Sequence, residues 1–107
     1  MRQVITQPSI AAGDVLANNE SFARHLRAEN LSPKTIYAYT GAVEQLDRFL
    51  AERGMPQDVA SVTREHVEAF ITHLLETRKP TTAHQRYRGC QAFFKWLVTE
   101  GEIKQSP

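Results

Sequence analysis

Hydrophobic residues recur at helical spacing in four stretches of this chain, and no stretch gives a strand signal. The first stretch runs from about Asn19 to Glu29, where Phe22 and Leu26 lie four residues apart and share one helix face. The residues before it, 1–18, mix proline, glycine and small or polar side chains without a sustained period. We interpret 1–18 as an N-terminal arm with a short helical turn near its end, either flexible or ordered on binding.

The second helix has signals at both ends. Ser32 offers a hydroxyl at the N-cap, and Pro33 stands at the first helical position, where its missing N–H costs nothing. The helix should end at about Arg53, because Gly54 tolerates the left-handed conformation that follows a helix. The predicted buried stripe is Ile36, Tyr39, Val43, Leu46 and Leu50, with Phe49 at its border. The predicted outer side is Lys34, Tyr37, Gly41, Glu44, Arg48 and Glu52.

The third helix follows a predicted loop over 55–62. Thr63 should cap it, and Glu65 is well placed in its positive first turn. It should end near Arg78, because Pro80 disfavours a helical conformation at the residue before it. The predicted apolar stripe is Val67, Phe70, Ile71 and Leu74.

The fourth helix should begin at a capping box formed by Thr82 and Gln85, and it should stop at Gly101. Trp96 falls on its outer side, where it could contact a partner or pack against the arm or a further domain. The residues predicted to be buried are Ala83, Tyr87, Cys90, Phe94, Leu97 and Val98.

Four helices joined by short loops predict an all-α bundle. A chain of 107 residues is long enough for one domain with one modest core. We divide it into the arm over 1–18, a four-helix domain over 19–101, and the start of a linker over 102–107. In this tail the apolar Ile103 precedes a polar run and a proline, so the chain looks like a piece of a longer protein.

The fourth helix carries the most informative charge pattern. Between Thr77 and Thr99 there is no Asp or Glu, and the nearest acids lie outside, at positions 76, 100 and 102. The net charge is only +1, so any attraction for nucleic acid must come from clustering. A basic face on an amphipathic helix suits a phosphate backbone, and an ordinary solvated basic surface is the alternative. The basic residues of the stretch are Arg78, Lys79, Arg86, Arg88 and Lys95.

Other chemistry is poorly supported. The four histidines form no HExxH motif, and one cysteine cannot make a cysteine-rich zinc site or an internal disulfide. We predict that Cys90 is a buried thiol and that His66 and His73 are solvated, so the chain should have no catalytic residue, metal site or cofactor. With no secretory-type start and no apolar run near the ~18 residues of a membrane span, we expect a soluble cytoplasmic protein without a membrane partner.

Three segments resemble a known family. Residues 32–39, Ser-Pro-Lys-Thr-Ile-Tyr-Ala-Tyr, resemble the opening of helix two in the core-binding domain of the tyrosine recombinase (phage integrase) family, its SAM-like N-terminal module. Residues 86–97, Arg-Tyr-Arg-Gly-Cys-Gln-Ala-Phe-Phe-Lys-Trp-Leu, are similar to the fourth helix of that module, and 101–107 resemble its exit into a linker. The resemblance spans about 19–107, with departures at Tyr87, Arg88 and Gln91.

This resemblance implies two crossed helical hairpins that form one half of a clamp around duplex DNA. A catalytic domain of the same chain would form the other half and would cut and rejoin strands, and the protomers would assemble as a tetramer on DNA. None of the catalytic set can be assigned in these 107 residues. A helical protein–protein adaptor with a basic face and a small transcription regulator are the alternatives.

We expect DNA contacts in two places. The start of the second helix is one, because it lies on the outer side, lacks nearby acid and presents a helix N-terminus. The other is an outer sector of the fourth helix, where Gly89 and Ala92 would keep the surface low and Arg88 is the best single contact. Gln85 could read adenine or serve the cap, and Arg86 could bind phosphate or lay its stem on the bundle and pair with an acid. The candidate DNA-binding residues are Lys34, Thr35, Tyr37, Lys79, His84, Gln85, Arg86, Arg88 and Lys95.

Overall fold

The computed structural model describes residues 13–107, and this part of the chain forms four α-helices. They are α1 (Val15–Ala28), α2 (Pro33–Glu52), α3 (Arg64–Thr77) and α4 (Pro80–Thr99). Within residues 13–107 there is no strand, only one isolated antiparallel bridge between Asp14 and Asp58. The predicted all-α fold with four helices is therefore confirmed.

Helix α1 begins four residues earlier than the sequence predicted. Asp14 caps it by accepting a hydrogen bond from the Ala17 N–H at 2.8 Å, and the Val15 N–H donates to the carbonyl of Gln57 at 2.8 Å. The predicted start at Asn19 was therefore wrong, and the short helical turn that was expected near the end of the arm is the first turn of this helix. The first twelve residues of the predicted arm lie outside the described residues.

The buried side of α1 hides two amides, which explains why its first turn had no apolar period. Asn18 and Asn19 are both buried, at 7% and 5% exposed. The Asn19 Nδ2 donates to the Thr40 carbonyl of α2 at 3.1 Å, while its Oδ1 has no hydrogen-bond partner. A polar residue held against a neighbouring helix in this way breaks the hydrophobic pattern without breaking the helix.

The ends of α2 follow the sequence signals. The Ser32 Oγ accepts from the Thr35 N–H at 3.1 Å, with Pro33 at the first helical position. At the other end, Arg53 is the C-cap and Gly54 has a φ of 67°. Both predictions are confirmed.

Helix α3 is capped by Thr63 as predicted, but its capping box is completed by a histidine. The Thr63 Oγ1 accepts from the His66 N–H at 3.4 Å, and the His66 Nδ1 accepts from the Thr63 N–H at 2.9 Å. Hydrogen bonds from the Glu65 N–H and the Thr63 side chain lower the pKa of the exposed Glu65 carboxyl. His66 and His73 are half-buried and not freely solvated, and the His73 ring packs 5.5 Å from that of Phe49.

The predicted capping box of α4 was wrong. The helix begins at Pro80, two residues before Thr82, and its N-cap Lys79 makes no side-chain capping bond. Proline at the first helical position starts the helix through its fixed φ and leaves one fewer N–H to satisfy. Gln85 is consequently free of a capping role.

The helices pack as two hairpins, α1 with α2 and α3 with α4, and α2 crosses α4 at the centre. The crossing is close, because a Cβ added at Gly89 would lie 2.8 Å from the Ala42 Cβ and 3.3 Å from the Tyr39 Cα. The Cys90 thiol lies at the same crossing, 3.8 Å from the Ala42 carbonyl. The core residues that are at most 2% exposed are Val15, Phe22, Ala42, Val43, Leu46, Leu50, Val59, Phe70, Ala83, Cys90, Phe93, Phe94 and Leu97.

The buried side of α4 differs from the prediction at three aromatic residues. Phe93 is completely buried, whereas Tyr87 is 37% exposed. Trp96 is half-buried and not on the outer side, because its ring packs 5.4 Å from Phe22 and 5.7 Å from His25 of α1. Helix α4 packs against all three other helices, so its buried arc is wider than a single stripe. The half-buried residues among those predicted to be buried are Ile36, Tyr39, Ile71 and Val98.

Candidate nucleic-acid interface

The outward side of α4 forms one wall of a groove. Arg88 and Lys95 are exposed on this side and lie two helical turns apart, which corresponds to about 10 Å along the axis. Tyr39 of α2 and Lys104 of the C-terminal tail line the same groove. We call it the α4 groove, and its lining is Tyr39, Arg88, Gln91, Ala92, Lys95, Val98, Thr99, Lys104, Gln105 and Ser106.

The charges of the α4 groove have one sign. Its three charged residues are Arg88, Lys95 and Lys104, and no Asp or Glu lines it. The single salt bridge within residues 13–107 lies elsewhere, between Arg64 and Glu68 of α3 at 3.3 Å. The three groove cations are therefore not neutralised by carboxylates of the described chain, and their fields add in the groove.

A shallow depression continues the groove toward the start of α4. His84, Gln85 and Arg88 line it together with Pro80 and Thr81. The structure thus brings together three of the residues that the sequence predicted as contacts. Lys79 is exposed at the N-cap of the same helix.

Arg86 lies on the other side of the α2–α4 crossing. Its Nε donates to the Gln45 Oε1 of α2 at 2.7 Å, so the side chain lies on the bundle as one alternative proposed. The partner is an amide and not the expected acid, so this bond leaves the guanidinium charge uncompensated. Arg86 and Tyr37, which is 81% exposed, line a second concavity that also contains Glu44.

The two remaining predicted contacts lie at the start of α2. Lys34 is exposed, whereas Thr35 is half-buried. The Thr35 hydroxyl accepts from the Ser32 Oγ at 3.0 Å, so it is already engaged in the cap. Because the Thr35 hydroxyl accepts this bond, its own O–H can still donate to an anion, and Lys34 adds a charged donor beside it.

Gly89 does not have the role that the sequence suggested. It was expected to keep the outer surface of α4 low, but it is buried against Ala42 and Tyr39. Ala92 does line the α4 groove. The glycine therefore serves the contact between two helices, and the small side chain at the groove surface is alanine.

Of the ten residues that line the groove, only Arg88 and Lys95 were in the predicted set. Tyr39 was assigned to the core, and Lys104 was assigned to a linker. Gln91 was treated only as a departure from the family pattern, and its Nε2 donates to the Tyr87 Oη at 2.8 Å. The charge of Lys104 was visible in the sequence, but no periodicity places a residue beyond the end of a helix.

Other chemical sites are not formed by the described part of the chain. Across residues 13–107, no group of three or more His, Cys, Asp or Glu side chains could hold a metal ion. Burial raises the pKa of the Cys90 thiol to about 12, which makes it a poor nucleophile. No helix among these residues is both long and apolar enough to cross a membrane.

The fold and its surface define a small all-α domain of two crossed hairpins with one basic groove. The chain belongs to the family described as phage integrase, N-terminal SAM-like domain, whose model matches residues 19–102. The matched region is thus the N-terminal domain of the family and not a catalytic domain. The sequence resemblance and the predicted fold class are both confirmed.

Curated relatives agree with this assignment. The chain is 33% identical over 95 residues to "Tyrosine recombinase XerC" of Chlorobaculum parvum and 37% identical over 90 residues to that of Roseiflexus castenholzii, covering 82% of this chain in each case. It is 29% identical over 100 residues, 90% of this chain, to that of Xanthomonas campestris. The chain spans 28–30% of the length of these relatives. No solved structure gives a significant match.

Proposed function

We propose that this domain is the DNA-binding module of a site-specific tyrosine recombinase. It grips duplex DNA while a C-terminal catalytic domain of the same protein cleaves and rejoins strands. Four protomers assemble on the DNA as a tetramer. The relatives are named as tyrosine recombinases, which supports the reaction of the whole protein. The single observation that carries the DNA-binding role is the α4 groove, with three cations and no carboxylate.

The physical argument is electrostatic. Duplex DNA carries a dense row of phosphates with condensed counterions, and each phosphate that a Lys or Arg neutralises releases some of them. Because the groove carries only positive charges, its cations can neutralise phosphates and favour binding through counterion release without first breaking internal salt bridges. Arg88 adds geometry, because a guanidinium can pair with two acceptors of a phosphate or of a guanine edge. Lys34, Tyr37 and Lys79 extend the proposed contact beyond the groove.

Salt-dependent binding to duplex DNA tests this function. Fluorescence anisotropy with a labelled duplex should give an association constant that falls with salt along a linear log–log plot. Arg88→Ala and Lys95→Ala should each reduce the magnitude of the slope by about one, because each removes one phosphate contact. If Arg88 reads a base, its loss should instead be confined to one position of the DNA site.

A matched control is available in α1. Arg24 is exposed, and its Nη2 is bonded only locally, to the Ser21 Oγ at 2.9 Å. Arg24→Ala removes the same charge as Arg88→Ala but lies away from the groove, so it should leave the slope unchanged. Failure of the parent domain to bind any duplex at low salt would reject the function and favour the protein–protein adaptor.

A further inference from the structure

The tail after α4 folds back onto the domain and does not lead away from it. Gly101 adopts a φ of 77°, and the Glu102 N–H donates to the Leu97 carbonyl at 2.9 Å. This bond reverses the chain at the end of the helix in the manner of a Schellman motif. Ile103 is then half-buried against the hydrophobic core.

The docked tail separates two grooves. On one side, Ile103 lines a groove with Val59, Val62 and Tyr87. Lys104 lines that groove too, and on the other side it lines the α4 groove with the cations of α4. Neighbouring residues thus have different surroundings, since Ile103 packs on the core and Lys104 adds positive charge beside α4.

We propose that the tail is a wall of the DNA-binding surface, in which Lys104 contacts a phosphate and Ile103 is the anchor that positions it. This inference rests on the proposed function. The occupant follows from charge, because a groove with three cations, no carboxylate and the polar side chains of Gln91 and Gln105 suits a polyanion. Anchoring matters because a lysine that is already held near the groove loses less conformational freedom on binding than one on a free tail.

The first experiment compares Lys104→Ala with the parent domain in the anisotropy assay. The variant should bind duplex DNA more weakly at every sequence, and its salt slope should fall by about one. Lys104→Arg should retain the slope, because it keeps the charge. A slope for Lys104→Ala equal to that of the parent would overturn the contact.

The second experiment separates the contact from its anchor. Ile103→Ala changes no charge, yet it should reproduce the affinity loss of Lys104→Ala because it releases the tail. The double variant should then bind about as weakly as either single variant, which is the non-additivity expected of two residues acting through one contact. Fully additive losses would overturn the role of Ile103 as the anchor.

A third measurement needs no substitution and covers the case in which Ile103→Ala does not fold. Acetylation of the parent domain, read by mass spectrometry, should label Lys104 fast without DNA and slowly with a saturating duplex. Equal labelling in both states would reject the contact. If the parent binds and Arg88→Ala lowers the slope while Lys104→Ala does not, only this inference fails, whereas no binding by the parent rejects the function itself.

Discussion

Replacing Gly89 by alanine should not stabilise the domain, although alanine is the better helix former. Gly89 lies in the interior of α4 where the helix crosses α2. The added Cβ would be 2.8 Å from the Ala42 Cβ and 3.3 Å from both the Cα and the carbonyl oxygen of Tyr39. None of these atoms belongs to a flexible side-chain end, so relief of the contact requires α2 and α4 to separate.

The magnitude follows from two opposing terms. Glycine in a helix interior costs about 1 kcal/mol relative to alanine, so helix propensity alone would make Gly89→Ala stabilising by that amount. Overpacking a tight interior typically costs about 1–3 kcal/mol. Gly41 measures the first term alone, because it lies in α2 and a Cβ added there meets no atom within 4 Å. Gly41→Ala should therefore raise the free energy of unfolding by about 1 kcal/mol, and Gly89→Ala should fall below it by about 1–3 kcal/mol.

Urea unfolding of the parent and both variants, followed by circular dichroism, gives the difference directly. A gap of 1 kcal/mol corresponds to roughly 4–8 °C in melting temperature for a domain near this size. Ala42→Gly removes the nearest of the clashing atoms but costs about 1 kcal/mol of helix propensity, so it should destabilise Gly89→Ala less than it destabilises the parent. Equal stability of Gly41→Ala and Gly89→Ala would refute the close crossing.

Three further predictions concern the interior and the helix ends. Phe94→Ala should lower the free energy of unfolding by about 3–5 kcal/mol in the same urea experiment, because Phe94 is 2% exposed in the core; an unchanged midpoint would show that the site is not packed as described. Cys90 should not react with Ellman's reagent at pH 8 in the folded state but should react in guanidinium chloride, because burial raises its pKa to about 12; fast reaction of the folded protein would contradict its burial. The pKa of Glu65 is lower in the folded state than its ordinary value of 4.5, so the ionised carboxylate stabilises the fold above pH 4.5, and this stabilisation is lost as the pH falls through the folded-state pKa. The difference in the free energy of unfolding between the parent and Glu65→Gln should therefore close on acidification. A difference that is independent of pH would contradict this role of Glu65.

Helix ends that carry a single local signal were predicted well. Ser32 with Pro33, Thr63 and Gly54 each act on backbone groups within three residues, so the residues alone specify the conformation. The capping box at Thr82 failed for a related reason. Two start signals compete at the beginning of α4, and Pro80 begins the helix before the threonine is reached.

Burial was predicted less well wherever it depends on more than one neighbouring helix. A helical wheel assumes one buried stripe, whereas α4 packs against three helices. Phe93 is therefore buried beside Phe22 of α1, with ring centroids 5.4 Å apart. Tyr87 instead lines the groove that also contains Val59, Val62 and Ile103. In α1 the error is of the opposite kind, because a polar residue is buried. Asn19 is held by a hydrogen bond to α2, and no local sequence pattern predicts that bond.

In the candidate site, too, the features that depend on one helix were predicted and those that depend on tertiary contacts were not. The charges of Arg88 and Lys95, and their shared helix side, follow from spacing within one helix, and the sequence predicted both. Tyr39 and Lys104 join them only because two other segments fold against α4. The placement of Tyr39 depends on the tertiary contact at Gly89, and that of Lys104 depends on the contact of Ile103 with the core. The sequence pattern predicts neither contact.

The close crossing of α2 and α4 therefore links stability to the shape of the basic groove. A Cβ added at position 89 would meet the Tyr39 backbone, and Tyr39 lines the groove from α2. Gly89 is also the immediate neighbour of Arg88 along α4. A side chain at position 89 that separates the helices must move this part of the groove relative to the cations on α4. The core residue Phe94 does not line the α4 groove and lacks that connection. Core packing and the proposed DNA contact are thus coupled at the crossing, and the small size of residue 89 sets how near the Tyr39 backbone lies to the basic face of α4.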